Sequence, residues 1–120
     1  MTKSQQEIEQ MLPLSLPIFH MLVSLMEGER HGYALKREIL QRTDKRINLG
    51  SGALYGAINK MLEQGLIVES DERPDPHLDD ERRRYYGITP LGRRVIQAEV
   101  ARLRALVQFA EVRLGVPHPA

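Results

Sequence analysis

The sequence predicts a mostly helical chain with one small β-hairpin, and three observations carry that reading. Apolar residues recur at helical spacing in three segments before position 65, two short β-like runs flank an acidic turn-rich insert, and a heptad pattern follows. The 120 residues are 42% hydrophobic and 28% charged, which suits one globular domain and not a disordered chain. At this size folding buries about two-thirds of the unfolded surface, enough for a single core. A second catalytic domain has no room.

The first predicted helix runs from Leu14 to Met26, where Ile18, Phe19, Leu22, Val23, Leu25 and Met26 share helical spacing. Pro17 fits its first turn, and Gly28 fits the position just past its end. A second helix spans His31 to Arg42, with Leu35, Ile39 and Leu40 inward and Lys36 and Arg37 outward. The third starts at Ser51, a candidate N-cap, and stops at Gly65. It sets Leu54, Ile58, Met61 and Leu62 on one stripe. The opposite face carries Ser51, Gly52, Tyr55, Gly56, Asn59 and Lys60, thinner than the Glu and Lys pairs of a generic solvated face.

LIVES (66–70) and RRYYGIT (83–89) then read as a hairpin around the insert DERPDPHLDDE. Alternation puts Arg84, Tyr86 and Ile88 on one face, with the latter two in the core, and Arg83 and Tyr85 on the other. Thr89 and Pro90 open a last helix that runs to about Leu114, with Gly115 as its stop. Within it Ile96, Val100, Leu103, Val107, Ala110 and Leu114 form a heptad seam. Packing on the chain's own core is the plain alternative, and Leu91 and Val95 fit it. Beyond Val100 the helix outruns a small body, so Leu103, Leu106, Val107, Ala110 and Leu114 call for a second copy. Ile8, Met11 and Leu12 can complete that interface. The resulting organisation is an N-terminal arm (1–13), a body (14–89), a pairing helix (90–115) and a tail (116–120).

The formal charge of +1 hides strong segregation. Residues 30–60 carry +5, residues 69–81 carry −6, and residues 82–104 carry +6. Partner choice follows where charge sits, and the total is a poor guide. Three helices followed by a hairpin make a winged helix-turn-helix, in which the third helix is the natural recognition helix. Double-stranded DNA is then the expected partner. Ser51, Gly52, Tyr55, Asn59 and Lys60 would face it. Asn59 can address adenine and Lys60 guanine or a phosphate, while the glycines permit close approach. Lys36, Arg82, Arg83 and Arg84 would hold the backbone.

Three stretches make the resemblance specific: HGYALKREI (31–39), LGSGALYGAINKMLEQGLI (49–67) and DERRRYYGITPLGRR (80–94). In this order and with these separations the chain resembles the PadR family of transcriptional regulators, from about Leu14 to the end of the last helix. The resemblance implies a homodimeric winged-helix repressor whose C-terminal helix dimerises, released from DNA in some members by a small effector. It implies no cofactor. Two departures stand out. Ser51 and Ala53 occupy positions where the family commonly has proline and threonine, so Ala53 brings no hydroxyl to a phosphate. No tryptophan is present, so the aromatic drug sandwich of some members has no counterpart.

Plainer readings compete at several positions. Tyr55 can pack at the joint between the second and third helices, and Lys36 and Arg37 can be a solvated face. Arg82 to Arg84 can neutralise their own acidic hairpin. His31 is expected to be structural, capping the second helix or satisfying a buried partner, and Tyr33 and Tyr86 to lie in the core. The tract Asp75, His77, Asp79, Asp80 and Glu81 lacks the spacing and central glycine of an EF-hand loop, so no metal is expected. A winged helix that binds protein and not DNA is the alternative function. An enzyme is disfavoured, because no nucleophile–base pattern or phosphate loop is visible. Absence of cysteine fits a reducing cytoplasm. The polar start MTKSQQEIEQ lacks a secretory apolar stretch, and Leu12 to Met26 is too short and polar to span a bilayer.

Overall fold

A computed structural model of the chain describes residues 2–70 and 84–116. In chain order the elements are α1 (Lys3–Gln10), α2 (Leu16–Met26), β1 (Arg30–His31), α3 (Gly32–Arg42), α4 (Ser51–Glu63), β2 (Ile67–Ser70), β3 (Tyr85–Ile88) and α5 (Pro90–Leu114). The mostly helical class with a small antiparallel hairpin is as the sequence predicts.

Local chemistry sets most boundaries. The Ser15 hydroxyl accepts from the Ile18 N–H and opens α2, and Gly28 leaves it at φ +145°. His31 caps α3 through Nδ1, which accepts the Ala34 N–H at 3.1 Å. After α4, Gly65 turns left-handed at φ +75°, and the Leu66 N–H reaches back to the Met61 carbonyl at 2.9 Å. That is a Schellman stop, for which glycine supplies the backbone.

The helices share one core, with Met21, Leu22, Leu25, Leu35, Ile39, Ile58 and Met61 fully buried. Arg42 ties α3 to α2, donating to the buried Ser24 hydroxyl at 2.7 Å and to the His20 carbonyl at 3.2 Å. Burial, with the Arg42 charge second, holds the His20 imidazole below its usual range.

Three strands form the sheet, in order β1-β3-β2, both pairings antiparallel. The edge strand β1 has no sequence signature, being two polar residues that pair with Tyr85 and Tyr86. It makes β3 the central strand, so both tyrosines are buried and not Tyr86 alone. The His31 ring meets Tyr85 edge-on at 5.3 Å. Tyr33 departs from the core expected for it: 54% of it is exposed, because it lies on the outer side of α3.

Two junctions fix α5. Its N-cap Thr89 accepts the Gly92 N–H at 3.0 Å and donates to the Gly65 carbonyl at 2.6 Å, while the Thr89 N–H bonds Leu66 O at 3.0 Å. A Cβ on Gly92 would stand 2.2 Å from that same Leu66 oxygen, so this position excludes any side chain. In the third turn of α5, Glu99 is 1% exposed. Its carboxylate accepts the Leu14 N–H at 2.7 Å and the Arg102 Nε–H. The N-terminal arm, for which the sequence suggested no element, contains helix α1, opened by a Thr2–Gln5 capping box and anchored by Ile8. A single buried apolar residue leaves no periodic stripe to read.

Replacing Gly92 by Ala should cost about 2 kcal/mol or more, roughly 6 °C or more in Tm, since the clash is with backbone. An unchanged melting curve would show the junction to be loose. Glu99 gives a pH signature. The hydrogen bond from Arg102, assisted by the Leu14 N–H, holds its carboxyl below the usual value of 4.5 against the opposing effect of burial. Its contribution is therefore complete above that value and is lost as pH falls through the lower folded-state value. Glu99→Gln should melt below wild type at pH 7, with the gap closing in acid; a gap constant with pH would contradict this.

Candidate nucleic-acid interface

Helix α4 buries Leu54, Ile58 and Met61 and turns Ser51, Gly52, Tyr55, Gly56, Asn59 and Lys60 outward, all of them exposed. The thin face is therefore one continuous surface. Ser51 is the first helical residue and not the N-cap. Gly50 takes that place in an extended conformation, its carbonyl accepting the Leu54 N–H at 2.9 Å. No side chain caps the helix, so its first-turn amides are not claimed by a capping group.

Gly52 and Gly56 are informative because nothing among the described residues demands them. A Cβ at either would meet no atom within 4 Å. Glycine inside a helix costs about 0.5–1 kcal/mol relative to alanine. That cost has no return in packing among the described residues. It is intelligible if something outside approaches the helix backbone closely.

Tyr55 combines the two readings open in the sequence. It is 48% exposed, yet its ring and hydroxyl lie over Gly32, where a Cβ would come within 3.1 Å of the hydroxyl oxygen. The residue thus joins α4 to the start of α3 while keeping an open edge. Burial pushes the nearby Tyr86 phenol up, with Glu69 and Tyr55 acting in the same direction. Lys36 is half-buried and Arg37 exposed. Arg84 is exposed and reaches Glu69 at 3.3 Å, across the strand pair. An open pair of this kind is worth about 0–1 kcal/mol and leaves the guanidinium easy to redirect. Arg82, Arg83 and the whole acidic tract with its candidate metal ligands lie outside the described residues. Among the described residues no group of three His, Asp or Glu could hold a metal ion, and no helix is long and apolar enough to cross a membrane.

The far half of α5 has the opposite character. Val100, Leu106, Val107 and Leu114 are exposed apolar residues, Leu103 is half-buried and Ala110 exposed. Ile96, first in the heptad pattern, belongs instead to the chain's own core. Phe19 of α2 joins Val100, Leu103 and Val107 in lining a groove of about 450 Å³. Heptad reading missed Phe109 and Val112, exposed on another side of the helix at 55% and 65%. A single a/d template follows only one stripe.

Three helices, a small sheet and an exposed third helix of the triplet define a winged helix-turn-helix protein. Comparisons with known proteins make the class specific. Residues 21–98 match the transcriptional regulator PadR-like family, and the chain belongs to that family of DNA-binding transcriptional regulators. An uncharacterised 37.1 kDa protein in transposon TN4556 of Streptomyces fradiae is 33% identical over 78 residues, 65% of this chain. The match spans 20% of that longer relative. A PadR family transcription regulator from Clostridium difficile superposes with TM-score 0.67 at 19% identity, covering 83% of this chain and 99% of the other. A transcriptional regulator from Clostridium thermocellum gives 0.65 at 24%, covering 79% and 86%. Bacillus subtilis PadR in complex with operator DNA gives 0.58 at 17%, covering 73% and 48%. These likenesses are ones of fold.

The glycines give a test that separates stability from function. Gly56→Ala should raise stability by about 0.5–1 kcal/mol while weakening duplex binding. Unchanged affinity would mean that nothing approaches the helix there.

Proposed function

We propose that the protein is a homodimeric repressor that reads a pseudo-palindromic operator with α4. The observation that carries this is the α4 face, where Asn59 and Lys60 stand exposed beside two glycines that no packing among the described residues requires. Asn59 suits the paired donor and acceptor of adenine, and Lys60 the acceptors of guanine or a phosphate. Ser51, Gly52 and Tyr55 sit at the backbone, with Lys36 and Arg82 to Arg84 supplying salt-sensitive affinity. Residues 14–89 then form the reading unit. Residues 90–115 pair two copies through Val100, Leu103, Leu106, Val107, Ala110 and Leu114, and α1 lies beside them. Two copies would set their α4 helices in successive major grooves about 34 Å apart. A small effector acting on the dimer, and a cytoplasmic location, belong to the same reading.

A gel shift on the region upstream of the coding sequence, repeated at several salt concentrations, tests this. Lys60→Ala should lose about 1–3 kcal/mol, at least about fivefold in affinity. Wild-type affinity in both Lys60→Ala and Tyr55→Ala would contradict the assignment of α4. Duplex binding absent at every salt concentration would favour the protein-binding alternative.

A further inference from the structure

We propose that Met26 is a site of methionine oxidation by hydroperoxides, and that its sulfoxide, held by Arg93, latches the end of α2 to the start of α5. Met26 and Arg93 carry no role in the reading of α4 given above.

Access to the oxidant singles out Met26. The chain has no cysteine, so the thioethers are its only sulfur. Met21 and Met61 are 0% exposed, and Met11 is half-buried against the same core. Met26, the last residue of α2, is 39% exposed. Oxidation at sulfur follows exposure, so Met26 is the described methionine that a peroxide reaches first.

The neighbour of the sulfur gives the oxidation a consequence. Arg93 donates an Nη1–H to the Met26 Sδ at 3.6 Å. A thioether is a weak acceptor, so this contact contributes little as it stands. Arg93 is exposed, and among the described residues no carboxylate pairs with it. The two acids that follow α2 are engaged elsewhere: Glu27 stands 3.7 Å from Arg30, and Glu29 lies over Gly87.

In the reaction a sulfur lone pair attacks one oxygen of the hydroperoxide. The S–O bond forms, the O–O bond breaks, and the departing oxygen takes the proton of the transferred one, leaving as water when the oxidant is hydrogen peroxide. Sulfur is oxidised by two electrons and the peroxide is reduced by two. The new oxygen is a strong acceptor on the atom that Arg93 already addresses, and a guanidinium donating to it makes a charge-assisted bond. Arg93 follows Gly92 in the first turn of α5, at the corner where that helix presses on the Leu66 carbonyl. Oxidation here tightens the seat of α5 on α2, whereas a sulfoxide in the core would loosen it.

Peroxide treatment of the full-length protein, followed by peptide mass mapping and a melting curve, checks both halves. Among Met11, Met21, Met26 and Met61, Met26 should take up oxygen first. Protein oxidised at Met26 should melt about 2 °C or more above untreated protein. Methionine sulfoxide reductases of both epimer specificities should restore the original melting temperature. In Arg93→Ala, Met26 should still oxidise, with no rise in melting temperature. Met26→Gln, whose amide oxygen stands in for the sulfoxide, should melt above Met26→Leu, and the difference should vanish once Arg93→Ala is added to both. Earlier oxidation of Met11, Met21 or Met61 would overturn the site. Oxidised wild type melting no higher than untreated protein, or an equal rise in Arg93→Ala, would overturn the latch.

Discussion

The corner where α4 ends and α5 begins governs the rest of the molecule. Gly65 turns the chain out of α4, Leu66 presents its carbonyl, and Thr89 binds both residues through its hydroxyl and its amide. Gly92 then lets the first turn of α5 press against the Leu66 oxygen at a distance no side chain would permit. The helix with the thin exposed face and the helix with the exposed apolar face are thereby clamped end to start. At this corner α4 and α5 meet backbone to backbone. In a dimer built on α5, this corner would fix the spacing of the two α4 helices.

The same chain leaves two costs unrecovered. Gly56 in the interior of α4 and Gly52 in its first turn lower the stability of the helix and fill no space requirement among the described residues. Along α5, Leu106, Val107, Phe109, Val112 and Leu114 remain more than half exposed, although a lone soluble helix gains nothing from apolar residues there. A fold judged as a monomer carries both as defects. Each becomes intelligible once an external surface is supplied, DNA at one end of the clamp and a second copy at the other. Marginal stability is thus spent at the two places where partners are proposed to bind.

Much of this was legible in the sequence because it follows from repeated local rules. The stripes of α2, α3 and α4, the Gly65 stop and the Thr89–Pro90 start all appear at the expected positions. The α4 face was legible for the same reason, since its buried stripe determines which residues remain outside. What escaped depends on contacts distant in sequence. The strand β1 exists only because β3 offers its edge, and its pairing is what buries Tyr85. Helix α1 is held by Ile8, and the segment after it by the Glu99 bond to Leu14, neither of which has a periodic signature. Tyr33 is expected in the core, but α3 buries the side of Gly32, Leu35 and Ile39, and Tyr33 lies off that side. Ser51 looked like a cap because serine usually is one; the extended Gly50 starts the helix one residue sooner.

The chain has no cysteine, so a single one can be introduced and labelled cleanly. The most direct test places a photo-crosslinker on Asn59→Cys and, separately, on Gln97→Cys of α5, each mixed with a duplex of the upstream region. If α4 enters the major groove, the label at 59 joins to bases of the duplex at low salt and progressively less as salt rises, while the label at 97 stays on protein. Crosslinks to DNA from position 97 with none from position 59 would contradict the assignment of α4 as the reading helix.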